Sequence, residues 1–168
     1  MARIEKEYEV CYAHRLLNHK GKCARLHGHN ARIRISIEGP VIKDESRPDN
    51  GMVMDFGDLD DGIGKWLNST LDHHTILEVG DPVINALVEC GDSDSLVVID
   101  MPPTAELLGG WIHAKVMDEY GVYLDLVEGN VEVTFWETTK ACAVIDDSSN
   151  YFNIPVQSMG GFEFVSSE

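Results

Sequence analysis

Apolar and polar residues alternate most regularly over residues 29–38, and this pattern predicts a β-strand. Side chains point to opposite faces of a strand in turn, so one face is formed by Ala31, Ile33, Ile35 and Ile37. The other face carries Arg32, Arg34, Ser36 and Glu38. One apolar and one polar face is typical of an antiparallel sheet with one solvated side. Residues 3–12 alternate more weakly and are predicted to pair with this strand.

Helical spacing of apolar residues predicts two longer helices in the middle of the chain. The first is capped by Asp55 and extends to Asn68. The second begins near Pro103 and Thr104 and is expected to end at Tyr120, because a glycine follows it. The other predicted elements are a short helix over 82–89 and strands over 96–100, 122–128 and 130–138.

With strands at both ends and helices grouped between them, these elements predict an α+β fold with helices on one face of an antiparallel sheet. The 168 residues suffice for one domain, which we assign to residues 1–145. Residues 146–168 form a C-terminal extension of unknown role. No apolar run reaches the ~18–20 residues of a membrane span, and residues 1–10 lack a signal-peptide core, so we expect a cytoplasmic protein.

The net charge of −16 argues against nucleic acid and anionic membranes as partners. The charge is unevenly distributed, since six basic residues and no acidic residue lie between Arg15 and Arg34. A basic segment in an acidic chain suggests a site for a small anionic ligand. The alternative is an ordinary solvated strand face, and the sequence leaves both open.

The four cysteines are widely spaced and form no CxxC pair, which favours free thiols in a reducing compartment. Cys11, Cys90 and Cys142 have apolar or small neighbours and are expected to be buried. Cys23 differs because Lys20, Lys22 and Arg25 surround it, and a positive setting favours the thiolate.

A metal site is suggested by His27-Gly28-His29, because residues two apart on a strand point to the same side. A third ligand is needed, and His14 is the best placed if the first two strands pair. His19 is the reserve and lies more naturally on the intervening loop. Three histidines without a thiolate or carboxylate leave one coordination position open, which is typical of a catalytic zinc site.

Five segments resemble, in the same order, motifs of the 6-pyruvoyl-tetrahydropterin and 6-carboxy-tetrahydropterin synthase family. They are residues 13–16, 23–30, 51–56 and 71–73, and residues 103–106 together with Glu137 and Thr138. The three-residue gap between Cys23 and His27 is similar to the bacterial 6-carboxy branch of the queuosine pathway. Two departures are Val10-Cys11-Tyr12, where other residues are expected before His14, and the long segment between His73 and Pro103.

The resemblance implies a cytoplasmic lyase that binds Zn²⁺ through His14, His27 and His29. Its substrate would be 7,8-dihydroneopterin triphosphate and its products 6-carboxytetrahydropterin, acetaldehyde and triphosphate. Three alternatives stay open: triphosphate elimination by a 6-pyruvoyl-tetrahydropterin synthase, a non-catalytic pterin-binding homologue, and an unrelated three-histidine zinc hydrolase.

The resemblance also implies residue roles and an assembly. Cys23, Asp72 and His73 are expected to be catalytic, with His74 competing for the role of His73. The residues expected to bind the pterin are Thr104, Glu106 and Glu137, although Thr104 could be only a helix cap and Glu106 only a surface acid. The implied fold is a tunnelling fold with a four-stranded antiparallel sheet and two helices on one face. Its subunits would close into a barrel, as a homo-hexamer made of two trimers.

Overall fold

A long antiparallel hairpin organises the molecule. The structure, a computed structural model, describes residues 1–126 and 128–149. Strands β1 (Ala2–His14) and β2 (His27–Gly39) pair along their whole length, from Ala2 opposite Gly39 to His14 opposite His27. The alternation predicted for β2 is confirmed, because Ile33, Ile35 and Ile37 are fully buried.

The sheet has six strands in the order β4-β3-β1-β2-β5-β6. The four further strands are β3 (His74–Glu78), β4 (Leu96–Ile99), β5 (Asn130–Thr138) and β6 (Ala141–Asp146). The predicted four-stranded antiparallel sheet is therefore wrong in strand number and in direction, since β3 lies parallel to both β1 and β4. A parallel pair needs a crossover, and α3 (Pro82–Glu89) supplies it between β3 and β4.

The first helical segment follows the prediction closely. It runs through α1 (Phe56–Leu59), a π-helical turn (Asp60–Gly64) and α2 (Lys65–Thr70). The Asp55 carboxylate caps it by accepting a 2.8 Å hydrogen bond from the Gly57 N–H. This cap satisfies one of the backbone donors that a helix leaves free at its start.

The second long helix, α4 (Ala105–Leu126), continues past the predicted stop. The prediction that Gly121 ends the helix is therefore wrong. The strand predicted over 122–128 is also wrong for residues 122–126, which belong to α4. Glycine within a helix costs only about 1 kcal/mol relative to alanine. Gly121 and Leu124 are both buried, so tertiary packing offsets that cost.

Both long helical segments pack on the same face of the sheet, as predicted. Leu59, Ile63 and Leu67 from the first segment join Leu108 and Ile112 of α4 in one core with the apolar strand residues. Trp66 and Trp111 meet edge to face, with ring centroids 5.0 Å apart. None of the helices in the described ranges has the length and apolar character needed to cross a bilayer.

The opposite face of the sheet is more polar and carries two of the three cysteines that were expected to be buried, Cys11 and Cys142. Cys11 is exposed because it lies between the buried Val10 and Tyr12 and so points to the other side. Cys142 is exposed on the edge strand β6, and Cys90 is exposed at the end of α3. All four cysteines are free thiols. Of the predicted extension 146–168, residues 150–168 lie outside the described part of the chain.

Candidate metal centre

Three imidazoles converge where β1 ends and β2 begins. His14 lies directly opposite His27 in the strand register, and His29 follows two residues later on the same face. One ring nitrogen from each histidine lies within 4.8 Å of the others. The three ring centroids are 4.6 to 5.1 Å apart. The histidine group is therefore built by strand register and alternation, within a single chain.

Backbone carbonyls fix the orientation of two of these rings. His14 Nδ1 lies 2.7 Å from the carbonyl oxygen of Pro103, and His27 Nδ1 lies 2.7 Å from that of Arg25. A ring N–H that donates to a carbonyl leaves the Nε2 lone pair available as a ligand. Neither carbonyl was predicted, because nothing in a sequence marks a backbone oxygen as the partner of a histidine ring.

The donor set fits a metal ion. The Nε2 atoms of His14 and His29 are buried without a hydrogen-bond partner, which is rare for polar atoms in proteins. Burial lowers the pKa of both His14 and His29, which favours the neutral imidazole that coordinates metals. Three converging imidazoles match the ligand set of a catalytic zinc site with one open position.

His19, the reserve ligand, is not part of the group. It lies exposed on the loop between β1 and β2, and its Nδ1 accepts a 2.9 Å hydrogen bond from the Gly21 N–H. The same loop is closed by a 2.8 Å hydrogen bond from the Leu16 N–H to the Cys23 carbonyl. The loop thus folds back beside the histidines without contributing a fourth imidazole.

Glu137 lies at the edge of the histidine group. It is the extra residue of a β-bulge, because Trp136 pairs with Cys142 whereas Thr138 pairs with the preceding residue, Ala141. Bulges redirect side chains and are common beside active sites. Glu137 Oε1 lies 3.4 Å from His14 Nε2 and 3.7 Å from His29 Nε2. A carboxylate thus faces the place where an ion and its ligand would meet.

Asp72 and His73 form a pair near the same end of β1 but open onto the opposite side of the sheet. His73 Nδ1 lies 2.9 Å from Asp72 Oδ2, and the His73 side chain is 81% exposed. The Cys11 N–H donates to Asp72 Oδ1 at 2.7 Å and holds the pKa of that carboxyl below its usual range. The pair lines a groove of about 710 Å³ together with Cys11, Asn30 and Trp136.

The backbone at His73 is unusual, since its φ of 60° lies in the left-handed region. Such conformations are uncommon for residues other than glycine and often occur at functional sites. The His73 N–H donates to the Cys11 carbonyl at 2.6 Å, which ties the turn to β1. The competing histidine, His74, is half-buried, and its Nδ1 lies 2.7 Å from the Asp72 carbonyl. Of the two, His73 is the more accessible.

Cys23 lies in a single 3-10 turn (Lys22–Ala24) and is half-buried. It precedes Arg25, whose carbonyl orients His27, so its backbone is close in sequence to the metal ligands. Among the described residues, the group of converging metal-ligand atoms contains no cysteine sulfur. This is compatible with a thiol that acts beside an ion without binding it.

Thr104 and Glu106 lie at the start of α4. The Thr104 hydroxyl accepts a 3.3 Å hydrogen bond from the Leu107 N–H, so it caps the helix. Glu106 is exposed in the first turn, where a carboxylate is favoured by the helix dipole. Neither geometry tests their predicted contact with a pterin, which remains a prediction.

The basic segment between Arg15 and Arg34 is divided by the fold. Arg15 Nε lies 3.1 Å from Oδ2 of Asp81, whose side chain is fully buried at the start of α3. Arg34 pairs with Glu7 at 2.8 Å, and Arg32 lies over the Trp136 ring at 4.3 Å. The rest of the segment is Lys20, Lys22 and Arg25, which are exposed and form no ion pair within the described ranges.

Comparison with known proteins gives a consistent family. The family model for 6-pyruvoyl tetrahydropterin synthase matches residues 3–148. A probable 6-carboxy-5,6,7,8-tetrahydropterin synthase of Halobacterium salinarum is 38% identical over 114 residues, which is 68% of this chain and 69% of the relative. The 6-carboxy-5,6,7,8-tetrahydropterin synthase of Synechocystis is 34% identical over 119 residues, covering 71% of this chain and 77% of the relative.

Solved structures show the same fold. The 6-pyruvoyl tetrahydropterin synthase of Plasmodium falciparum has a TM-score of 0.66 at 23% identity, covering 86% of this chain and 96% of that one. The corresponding protein of Caenorhabditis elegans has a TM-score of 0.60 at 21% identity, with 88% and 96% covered. The histidine group, the fold and the sequence relatives agree, and the chain belongs to the 6-pyruvoyl tetrahydropterin synthase family.

Proposed function

We propose that the chain is a 6-carboxy-5,6,7,8-tetrahydropterin synthase that converts 7,8-dihydroneopterin triphosphate, with release of acetaldehyde and triphosphate. The observation that carries the proposal is the group of three imidazoles with two buried, unpartnered Nε2 atoms, in a family member whose curated relatives have this name. Zn²⁺ held by His14, His27 and His29 would act as a Lewis acid toward the hydroxyl groups of the substrate side chain.

Substrate binding is assigned to groups at the two edges of the histidine group. The two oxygens of the Glu137 carboxylate would accept hydrogen bonds from the ring N–H and the adjacent amino group of a pterin. Within the basic segment between Arg15 and Arg34, the residues without an ion pair in the described ranges are Lys20, Lys22 and Arg25, and they suit the triphosphate. Thr104 and Glu106 are retained as further pterin contacts from the family resemblance.

Proton transfer is assigned to Cys23 and to the Asp72–His73 pair. Cys23 precedes the metal ligand His27 by four residues, and we assign it as the base that removes a proton from the substrate side chain. Asp72 orients the His73 imidazole through their 2.9 Å contact, and His73 gives or accepts a second proton.

A shared site between subunits reconciles the positions of these groups. The Asp72–His73 pair lines a groove on the side of the sheet away from the histidine group. Within the described ranges, residues 2–11 of β1 have no strand partner on the side away from β2, because β3 pairs only with Tyr12, Ala13 and His14. Strand β6 is the other edge, where Val144 is 56% exposed. Free edges invite pairing with another chain, which supports trimers closed into a barrel and stacked as a homo-hexamer.

The test is incubation of zinc-loaded protein with 7,8-dihydroneopterin triphosphate, with products identified by mass. Release of acetaldehyde together with a 6-carboxytetrahydropterin is the expected result. Triphosphate release without acetaldehyde would assign the chain to the 6-pyruvoyl reaction instead. Binding of the substrate without any product would identify a non-catalytic pterin-binding protein.

A further inference from the structure

Tyr12 is buried beside the metal centre, although it lies in none of the five motif segments. Its ring packs against His14 at a centroid distance of 5.1 Å and against His29 at 5.8 Å. The far side of the ring meets Phe135 of the core at 6.1 Å. Only 4% of Tyr12 is exposed. The ring thus fills the space between two metal ligands and the core.

The hydroxyl of Tyr12 reaches the carboxylate that faces the ion site. Tyr12 Oη donates to Glu137 Oε1 at 3.4 Å. This oxygen is the same one that lies 3.4 Å from His14 Nε2 and 3.7 Å from His29 Nε2. A phenol carries its proton at neutral pH, so the Tyr12 hydroxyl can serve as the donor in this contact.

Glu137 needs such a partner. It is the extra residue of a bulge, so the strand ladder alone does not set the direction of its side chain. Its side chain is 26% exposed, which leaves it free to turn toward solvent unless a donor holds it. Among the described residues, the Tyr12 hydroxyl is the one side-chain donor that is hydrogen-bonded to it.

Tyr8 shows what an ordinary packing tyrosine does on the same strand face. It lies four residues earlier on β1, and its ring packs over Gly64 of the first helical segment. No aromatic contact or hydrogen bond to a histidine of the metal group is found for Tyr8 within the described ranges. The contact between a tyrosine and the site is therefore particular to position 12.

We propose that Tyr12 is a positioning residue, whose hydroxyl aims the Glu137 carboxylate at the pterin while its ring supports His14 and His29. The proposal rests on the proposed function, in which Glu137 accepts the N–H groups of the pterin. A correctly held Glu137 carboxylate binds the pterin ring equally tightly in the ground state and in the transition state, because the ring stays bound throughout the reaction. Removal of the Tyr12 hydroxyl is therefore expected to weaken substrate affinity more than it slows the chemical step.

The test compares Tyr12→Phe with the matched control Tyr8→Phe, both zinc-loaded. Tyr12→Phe removes one oxygen and keeps the ring, so zinc content and folding are expected to match the wild type. Loss of one hydrogen bond to a charged acceptor predicts about a tenfold rise in KM, and in the Kd for a non-reacting pterin such as neopterin, with kcat within about twofold. Tyr8→Phe should leave all three constants unchanged.

A double mutant decides whether Tyr12 acts through Glu137. In a Glu137→Gln background, Tyr12→Phe is expected to add less than about a twofold change, because the positioned carboxylate is already gone. The same tenfold effect in both backgrounds, or unchanged KM and Kd in Tyr12→Phe, would overturn the proposal. A weaker pterin Kd in Tyr12→Phe, with no turnover by the wild type, would support positioning and refute the proposed activity. No pterin binding by the wild type would overturn both.

Discussion

The two candidate clusters near the end of β1, the histidine group and the Asp72–His73 pair, differ in how completely one chain builds them. The histidine group is enclosed: His14 is 2% exposed, and carbonyls from two other segments hold two of its three rings. The Asp72–His73 pair is open, with His73 81% exposed and its backbone in the left-handed region. Both are anchored to the same few residues of β1, yet they face opposite sides of the sheet.

The difference in exposure fits two different roles, metal binding for the histidine group and contact with the substrate for the Asp72–His73 pair. Metal ligands must be fixed in place before the ion arrives, so they belong where strand register and packing hold them. A group that meets the substrate from another direction can stay exposed until a second surface covers it. If the site is shared between subunits, the enclosed cluster functions within its own chain and the open pair depends on the neighbouring one.

The largest effect is expected for His29→Ala. Removal of one of three ligands should lower zinc affinity by more than about 100-fold, since loss of an outer-shell partner alone costs ~10–100-fold. Metal analysis after dialysis should fall from about one zinc per chain to almost none, and turnover should be lost with it. His19→Ala is the control, because His19 lies outside the group on an exposed loop. Equal zinc in both variants would contradict the assignment of the ligands.

Cys23→Ala is expected to separate chemistry from metal binding. A general base contributes about 10²–10⁴-fold, so kcat should fall in that range while zinc content and unfolding midpoint stay at the wild-type value. Cys142→Ala serves as the control, since that exposed thiol lies on β6. A Cys23→Ala enzyme at near wild-type rate would remove Cys23 from the mechanism.

Mixing inactive chains tests whether the open pair serves a neighbour. Cys23→Ala and His73→Ala chains, mixed in equal amounts under subunit exchange, should recover about a quarter of the wild-type activity if each site takes Cys23 and His73 from different chains. Exchange is verified separately with chains of different mass. No recovery despite exchange would mean that each chain builds its whole site, and a monomer by light scattering would reject the assembly itself.

The smallest effect is expected for Asp72→Asn. The Cys11 N–H can still donate to an amide oxygen, whereas the charged contact with His73 is lost, so the free energy of unfolding at neutral pH should fall by about 1 kcal/mol. The pKa of Asp72 is lowered in the folded state. Its stabilisation is therefore complete above the unfolded pKa of about 3.9 and disappears as the pH falls through the lower folded value.

Urea unfolding at about pH 7 and about pH 3 measures this difference, which should shrink at the lower pH. Asp61→Asn is the matched control, because the Asp61 side chain is 77% exposed and forms a surface ion pair with Lys65. A difference that grows toward low pH would have the wrong sign and would refute the assigned role of the Cys11 N–H.

Local patterns in the sequence were enough for the elements with strong periodicity. The alternation in 29–38 identified β2, the apolar spacing identified both long helical segments, and helix 82–89 matches α3 to the residue. The two-residue spacing also predicted that His27 and His29 point to the same side, because alternation along a strand does not depend on the rest of the fold. The short strands β3 and β6 were missed, since they contain fewer of the β-branched residues that marked the equally short β4 (Leu96–Ile99).

The tertiary structure decided everything that depends on partners far apart in sequence. Gly121 became part of a helix because its packing environment outweighed its local preference. Arg15 belongs to the basic segment that suggested an anion site, yet it pairs with Asp81, 66 positions further along the chain. The alternation of β1 exposes Cys11 despite its apolar neighbours. The contact between Tyr12 and Glu137 joins residues 125 positions apart across a bulge. Strand register brings such pairs together, and register is set by the burial of the whole apolar face, which no local segment encodes.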